Sequence, residues 1–311
     1  MIVITGATGF IGSVLVGYLN QQNVYDIVCV DKMRSESKWK NLLGKSFSDV
    51  IDPDDLFAFL NENAPDVQVI IHLGACTKTT EEDTDFLLHN NYRYSQNIYN
   101  WCLAHDVRLI YASSASTYGD GGKGFSDDEF DLYPLNKYGY SKHLFDIWQQ
   151  KRPPLKQCVG LKFFNVYGPN EYHKTEMCSV ILNLYNEILS KDRVKIFGSD
   201  GAQKRDFVYV LDVARVIHFF MQNQEQNGIF NVGSGQASDF NAISRVIFQQ
   251  LGLQENIEYI SLPKNLEKTY QWFTQADIKK LRKAGCTEPF LSVEEGIEDY
   301  IDRYLKHSKY Y

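Results

Sequence analysis

Long apolar runs are missing from this sequence. Nothing in it approaches the roughly 18 consecutive apolar residues that a membrane-spanning helix requires, so no spanning segment is expected. Positive charge is also scarce. The chain carries 32 Lys and Arg against 39 Asp and Glu, a net charge of −7. That balance argues against a nucleic-acid or anionic-membrane partner. An anionic ligand would have to be met by local groups, such as helix N-termini and a few placed Lys or Arg. The six cysteines (Cys29, Cys76, Cys102, Cys158, Cys178 and Cys286) form no CxxC pair and no metal-ligand spacing. They read as reduced thiols of a cytoplasmic protein with no bound metal. Met1 runs directly into the strand-like "IVIT", which leaves no room for a basic-then-apolar signal peptide. There is no Pro-rich linker, internal repeat or low-complexity segment.

What the chain does have is alternation. Short β-branched runs at 1–5, 26–31, 67–74, 108–114 and 158–166 are separated by helical patterns at 11–22, 84–105 and 136–151. Near-continuous apolar strands divided by helices predict an α/β fold: a doubly wound parallel sheet with helices on both faces. Ligands of such sheets bind at the carboxyl ends of the strands. After about residue 166 the rhythm breaks. Helices predicted near 178–190 and in "FNAISRVIFQQLG" and "LSVEEGIEDYIDRYL" belong to a smaller α/β unit.

The segment "VITGATGFIGSVLV" follows the first predicted strand and opens an apolar helix, with Gly6, Gly9 and Gly12 three residues apart. In this context the first glycine turns the chain, the second admits a pyrophosphate close to the backbone, and the third lets helix pack on strand. The helix N-terminus then offers N–H donors and a positive dipole to the anion. The GxxGxxG spacing is typical of the short-chain dehydrogenase superfamily, so a dinucleotide is expected here. Asp31 ends the second strand, where a carboxylate takes the ribose hydroxyls of NAD. Lys32, Arg34, Lys38 and Lys40 follow and would suit the 2′-phosphate of NADP. The residues leave that choice open.

In "KYGYSK" Tyr138 and Lys142 stand four apart on a predicted helix and share one face, whereas Tyr140 and Lys142 diverge. An ammonium beside a phenol lowers the phenol's pKa and makes it a usable proton acceptor. Ser114, in "YASSASTYG" at a predicted strand end, can hydrogen-bond both the phenol and a substrate oxygen. Lys174, in "YHKTEM", belongs to no common short motif and reads on its own as a solvated loop charge.

Together "GACTKTTEED", "LLHNNYRYS", "YASSASTYG", "PLNKYGYSKHLFD", "FFNVYGPNEYHK", "KRDFVYVLDVA", "FNVGSG" and "YQWFTQADIKKLRKAG" resemble the ADP-glyceromanno-heptose 6-epimerase family, a branch of the extended short-chain dehydrogenases/reductases. The resemblance spans nearly the whole chain. It implies inversion at C6 of an ADP-linked heptose for the lipopolysaccharide core. The C6 hydride passes to bound NADP, and the ketone takes it back on its other face, with no net redox change. Dehydratase relatives carry an Asp-Glu pair after a Thr in the stretch held here by "SSASTYG"; without those carboxylates, elimination of water is disfavoured.

By the same resemblance Tyr138 and Lys174 are an acid/base pair serving the two orientations of the sugar, assisted by Lys142 and Ser114. To be a base, Lys174 has to be partly neutral, which a dry pocket near other cations favours. Phe10 and Ile11 then flank the pyrophosphate, and Asp31, Lys32 and Lys38 meet the adenosine ribose. Leu73, Gly74, Ala75, Cys76 and Thr77 line the cofactor near the nicotinamide, and Asn90, Lys142, Val166 and Lys174 complete its contacts. Substrate contacts fall on Asn165, Glu176, Asn183, Phe197, Gly198, Ser199, Asp200, Arg205 and Tyr270. Arg205 suits a diphosphate because a guanidinium binds two oxygens at once; its bland alternative is a salt bridge with Asp206 or Asp212.

The enterobacterial pattern of the family has serine and histidine where this chain has Glu176 and Asn183, and "FGSDGAQ" is closer to general sugar epimerases. The expected division gives the dinucleotide-binding domain residues 1–165, 205–233 and about 271–290. The substrate-binding domain takes 166–204, 234–270 and about 291–311. One NADP (or NAD) per subunit and a homo-oligomer are implied. Competing readings are a UDP-hexose 4-epimerase using the same Ser-Tyr-Lys set and a silent NADP-sensing regulator. The second would be expected to have lost the Tyr-Lys pair.

Overall fold

The computed structural model describes residues 1–33, 37–152, 157–264 and 270–311. Its strands in chain order are β1 (Ile2–Thr5), β2 (Ile27–Val30), β3 (Asp49–Ile51), β4 (Val69–His72), β5 (Arg108–Ser114), β6 (Cys158–Phe163), β7 (Asn165–Tyr167), β8 (Val194–Phe197), β9 (Lys204–Tyr209), β10 (Gly228–Val232), β11 (Ala237–Asp239) and β12 (Ile257–Ile260). The helices are α1 (Phe10–Gln21), α2 (Leu56–Glu62), α3 (Thr84–Leu87), α4 (Tyr94–His105), α5 (Lys137–Gln150), α6 (Val180–Lys191), α7 (Val210–Gln222), α8 (Phe240–Leu251), α9 (Lys279–Lys283) and α10 (Val293–Arg303). Among the described residues no helix is long and apolar enough to cross a membrane.

Seven parallel strands form the main sheet in the order β10-β6-β5-β4-β1-β2-β3. Every residue of β1, β2, β4 and β6 is buried, as continuous apolar strands covered on both faces must be. Helix α1 presents Val14, Leu15, Val16 and Leu19 to one face together with α7 residues Val213, Val216, Ile217 and Phe220. Leu56, Leu60, Ile98, Cys102 and Phe145, from α2, α4 and α5, cover the other. The expected doubly wound sheet is present, and the strand order reverses direction between β1 and β4, which opens a crevice at their carboxyl ends.

Two smaller sheets, β11-β9-β7 and β12-β8, are built from the chain's later half. They pack with α6, α8 and α10 around a second core that includes Tyr167, Ile181, Phe207, Ile247 and Ile297.

Two elements differ from the sequence reading. The strand expected over 158–166 is two strands in different sheets: β6 joins the main sheet, and after Phe164 alone β7 pairs with β9. No proline or turn signal stands between Phe163 and Asn165, so the change of sheet is hidden in the sequence. The helix expected over 84–105 is a single path, but Leu88–Arg93 is a π-helical stretch between α3 and α4. The extra residue in that turn shifts which side chains face the crevice, and such bulges recur at functional sites.

Candidate active site

The glycine loop closes against the neighbouring strand with no room to spare. Gly6 has a φ of +70°, and a Cβ there would lie 2.7 Å from the Gly74 nitrogen; one on Gly12 would lie 2.2 Å from the Gly6 carbonyl oxygen. Only glycine allows both approaches. Gly9 precedes α1 in an extended conformation, and no side chain caps the helix or places an acid in its first turn. The N–H groups that begin α1 therefore stay available to an anion. That cradle fits the diphosphate of a dinucleotide.

The cradle opens into a cavity of about 550 Å³. Along one wall lie Gly6, Gly9, Phe10, Ile11 and Gly12 with Asp31 and Lys38; along the next lie Leu73 to Thr77. Ser114, Tyr138, Lys142, Val166 and Lys174 line the rest. The structure thus brings together residues drawn from six separate stretches of sequence.

Asp31, just after β2, lines one wall of the cavity. One carboxylate oxygen accepts from the Thr8 hydroxyl (2.7 Å) and backbone N–H (3.1 Å), and the other accepts from Lys38 Nζ (2.8 Å). Lys32 turns away to Asp54 (2.6 Å) and Asp52 (3.7 Å) and does not line the cavity. Two aspartates recruit it, and nothing in the local sequence announces them. Arg34 lies outside the described residues.

The wall at Leu73–Thr77 is pinned from beneath. Leu73 and Gly74 donate their N–H groups to the Thr5 carbonyl (3.1 Å) and hydroxyl (3.0 Å). Buried His72 bridges the Thr5 hydroxyl (2.7 Å) and the Ser95 hydroxyl (2.9 Å). Burial, helped by the Lys142 charge, drives His72 down to about 3, so the imidazole is neutral near pH 7. Asn91 takes the Cys76 N–H on its Oδ1 (2.8 Å) and donates Nδ2 to the Cys76 carbonyl (2.9 Å). Sequence reasoning chose Asn90 instead. Neither asparagine lines the cavity, and Asn90 donates its amide to Asn91 Oδ1 (3.0 Å). The π-helical turn carrying both residues makes Asn91 the inward one.

Helix α5 begins with Asn136, whose side chain accepts from Gly139 N–H (2.8 Å). A Cβ on Gly139 would meet the Ser116 carbonyl oxygen at 2.6 Å, so this glycine lets the first turn of α5 press on the turn after β5. That contact carries Tyr138 to Ser114. Ser114 Oγ accepts from Ser116 N–H (3.1 Å), which aims its own proton at the Tyr138 phenol.

The phenol's pKa is raised: burial is the larger cause and the Ser114 hydrogen bond opposes it. The expected lowering by Lys142 is not found. Lys142 instead donates to the Ala112 carbonyl (2.9 Å), and burial lowers it to about 8.

Lys174 lies in the turn Tyr172–Met177 and reaches back over the Phe10 ring, 5.2 Å from its centroid. Burial lowers its pKa from the ordinary lysine value, against a smaller opposing pull from Glu171. It is no solvated loop charge. Its neighbour Thr175 holds φ +45° and ψ −115°, a strained conformation for a β-branched residue. Fully buried Glu171 anchors the turn by accepting from Gly168 N–H (3.2 Å) and the Ser179 hydroxyl (2.8 Å). His173, Ser113 and Met177 also line the cavity and escaped the sequence reading. Adjacency to Lys174 and Ser114 was the available signal for the first two.

Among the described residues, those expected to hold substrate do not line this cavity. Three of them assemble in contact with one another. The Arg205 guanidinium lies 5.5 Å from the Tyr270 ring, and Tyr270 meets Phe197 edge-on at 5.9 Å. Gln203, unnoticed in the sequence, donates to the Phe197 carbonyl and accepts from the Tyr270 hydroxyl (2.7 Å).

Arg205 is buried, and among the described residues its one hydrogen bond goes to the Lys204 carbonyl (3.3 Å); burial lowers it to about 10. Neither expected salt bridge forms: Asp206 serves Ser234, Gly235 and Ala276, and Asp212 pairs with Arg215 (2.8 Å). Gly198, with φ +88°, and Ser199 begin the turn after β8. Asp200 lies farther along the same turn, exposed and 3.8 Å from Arg245. Asn165 donates its amide to the Asp206 carbonyl (2.9 Å), and exposed Asn183 accepts from the Cys178 thiol (3.1 Å). The Glu176 side chain lies outside the described residues.

Comparison with known proteins adds an independent line. The model of the NAD dependent epimerase/dehydratase family matches residues 2–233. An ADP-L-glycero-D-manno-heptose-6-epimerase of Fusobacterium nucleatum is 44% identical over 98% of this chain and 98% of its own length. The crystal structure of the Helicobacter pylori ADP-L-glycero-D-manno-heptose-6-epimerase superposes with a TM-score of 0.85 at 30% identity, covering 97% of this chain and 95% of that one. MoeE5, solved in complex with UDP-glucose and NAD, reaches a TM-score of 0.80 at 26% identity and 99% coverage of both chains.

Proposed function

The chain belongs to the NAD dependent epimerase/dehydratase family, and on that premise we propose that it inverts C6 of ADP-D-glycero-D-manno-heptose to give the L-glycero epimer, for the heptose of the lipopolysaccharide core. The observation that carries the reading is that Tyr138 and Lys174 enter one cavity from different elements, α5 and the Tyr172–Met177 turn. An epimerase working through a ketone needs proton transfer in two orientations of the sugar, and two groups make each half-step geometrically simple.

When bound, the nicotinamide dinucleotide supplies the hydride acceptor and donor. Gly6, Gly9, Phe10, Ile11 and Gly12 hold its diphosphate, Asp31 and Lys38 its adenosine ribose, and the Leu73–Thr77 wall its nicotinamide half. We assign NADP rather than NAD because Lys38 already sits on Asp31, so that it covers the carboxylate's charge and stands ready for a 2′-phosphate.

Tyr138, with Ser114 donating to its oxygen, exchanges the proton of the C6 hydroxyl on one face. Lys142, one turn along α5, places its ammonium where a phenolate and a ribose would gather charge. Lys174 exchanges the proton on the other face; its burial lowers its pKa, the direction that favours a lysine acting as base.

Arg205, a buried cation with no carboxylate partner among the described residues, takes the substrate diphosphate, with Tyr270 and Phe197 packing alongside. Asn165, Glu176, Asn183 and Gly198–Asp200 complete the substrate side. The division into a dinucleotide domain and a substrate domain (166–204, 234–270 and about 291–311), cytoplasmic residence and homo-oligomeric assembly belong to the same reading.

The deciding experiment is an assay of purified protein with ADP-D-glycero-D-manno-heptose and no added cofactor, following C6 stereochemistry by NMR. Turnover is expected, and it is expected to fall at least a hundredfold in both Tyr138→Phe and Lys174→Met. Near-normal epimerisation by Lys174→Met would sink the two-base assignment. Turnover of UDP-galactose in place of the heptose would identify a 4-epimerase.

A further inference from the structure

Next to the cleft, between α5 and the strands β5 and β6, ionisable side chains are buried from solvent. Lys162, next to last in β6, and Asp146, on α5 one turn beyond Lys142, are both fully buried. Their charged atoms lie 3.9 Å apart. Among the described residues Lys162 Nζ has no hydrogen-bond partner; it rests over the Tyr118 ring, 4.4 Å from its centroid. His143, on α5 with Asp146, also keeps a buried ring nitrogen without a partner among them. Burying an ion pair with one end unbonded costs stability, and an apolar pair of similar volume would pack there at less expense. A purely structural role does not account for that choice.

The contacts of Asp146 indicate another role. Its two oxygens accept from the Tyr111 hydroxyl (3.0 Å) and the Ser113 hydroxyl (2.7 Å). Ser113 stands between Ala112, whose carbonyl receives Lys142 Nζ, and Ser114, which holds the Tyr138 phenol. One carboxylate therefore ties α5 to the strand that positions Ser114, Lys142 and Tyr138.

We propose that Asp146 and Lys162 are a buried positioning pair that fixes the Lys142 ammonium against β5 and sets the field acting on Lys142 and Tyr138. The meaning of that field for catalysis rests on the proposed function; the coupling of the pair to Lys142 does not.

The groups around each partner define what the field contains. Lys142 faces Asp146 on its own helix, Cys76 on the loop after β4, and His72 on β4. Tyr138 faces Ser114, Cys76 and Asp146. Lys162 is attracted by Asp146, Asp127 and Glu129 and repelled by Lys280 of α9. Asp146 also acts on Tyr111, Tyr118, His143 and Cys158. Lys162 is thus the cation that offsets Asp146 from the β6 side. Without it, the carboxylate would act undiminished on Lys142 and Tyr138, and both would hold their protons more tightly. Without Asp146, both would release them more readily.

The test is the titration of Lys142 in the full-length, dinucleotide-loaded protein, read by NMR of ¹³Cε-labelled lysine. The Lys142 resonance is assigned by its loss in Lys142→Met. Lys162→Met is expected to move the Lys142 midpoint up by about one pH unit, and Asp146→Asn to move it down by a similar amount. Lys162→Arg, which keeps the charge, is expected to leave the midpoint near its wild-type position. The alkaline limb of epimerase turnover should shift in the same directions.

If Lys162→Met does not fold, the near-isosteric Asp146→Asn reads the same coupling with the opposite sign. Variants that lose thermal stability while the Lys142 midpoint stays in place, or that shift it in one common direction, overturn the proposal. If the midpoints move as stated but no heptose is turned over, the positioning pair stands and the assigned reaction fails.

Discussion

Asn91 grips Cys76 through both of that residue's backbone groups, receiving its N–H at 2.8 Å and donating to its carbonyl at 2.9 Å. A third bond, from Nδ2 to the Ser141 hydroxyl (3.0 Å), ties the same amide to α5. One buried side chain therefore sets the distance between the Leu73–Thr77 wall and the helix that carries Tyr138 and Lys142. In Asn91→Leu the Cys76 groups lose their partners inside the protein, at a cost of roughly 1–3 kcal/mol each. The expected outcome is a lower thermal midpoint and loss of most of the dinucleotide retained through purification, measured by absorbance after denaturation. Full retention would show that the wall is held by Thr5 and His72 alone.

Lys142 carries a cost that pH should expose. Burial places it at about 8, against roughly 10.4 in the unfolded chain. Below pH 8 the lysine is protonated in both states, and the folded protein bears the full penalty of the buried charge. Between about pH 8 and 10 the folded state loses its proton first, so the penalty shrinks and stability rises with pH. In dinucleotide-free protein, Lys142→Met is expected to be more stable than wild type at pH 7 by about 2 kcal/mol. That advantage should fade towards pH 10. Urea unfolding at both pH values checks the sign, and activity should be lost throughout.

Under the proposed function, Arg205 separates substrate binding from cofactor binding. Its guanidinium is buried against Tyr270 and does not line the dinucleotide cavity. Arg205→Gln is expected to raise KM for the nucleotide sugar at least tenfold while leaving bound dinucleotide unchanged. Thermal stability should hold, because the variant removes a charge whose burial is penalised. Steady-state kinetics and cofactor extraction on the same preparation decide it.

The Asp31–Lys38 pair (2.8 Å) should govern which dinucleotide is kept. Lys38→Ala uncovers the carboxylate and removes a cation from the phosphate side. The ratio of NADP to NAD extracted from the purified protein is expected to fall at least tenfold, as read by mass spectrometry.

Local spacing carried much of this site. Gly6, Gly9 and Gly12 are legible because one turn has to satisfy strand, helix and anion within seven residues, and Tyr138 and Lys142 because a helix puts i and i+4 together. Lys174 became readable only through the surrounding family pattern, since its burial depends on Phe10, far away in sequence.

Long-range geometry was hidden. A π-helical turn displaced the inward position from Asn90 to Asn91, and a propensity-based reading assumes an unbroken 3.6-residue period there. Lys162 gave no sign of its partner, because Asp146 lies on a different element and their meeting depends on how α5 packs across β5 and β6. Gln203 and Trp272 looked like ordinary neighbours of Arg205 and Tyr270, though Trp272 packs edge-on against Tyr270 at 5.1 Å.

Phe164 alone stands between β6 of the main sheet and β7 of the smaller one, and its N–H is committed to the Val232 carbonyl (3.0 Å). Side chains along a strand alternate between faces, so inserting or deleting one residue at this joint would exchange the faces of Asn165, Val166 and Tyr167. Val166 would leave the cleft, and Tyr167, now 1% exposed, would leave its core. Connections between secondary-structure elements ordinarily tolerate changes of length. This one acts as a fixed gauge, and the gene encoding it should accept substitutions here far more readily than a single-codon insertion or deletion.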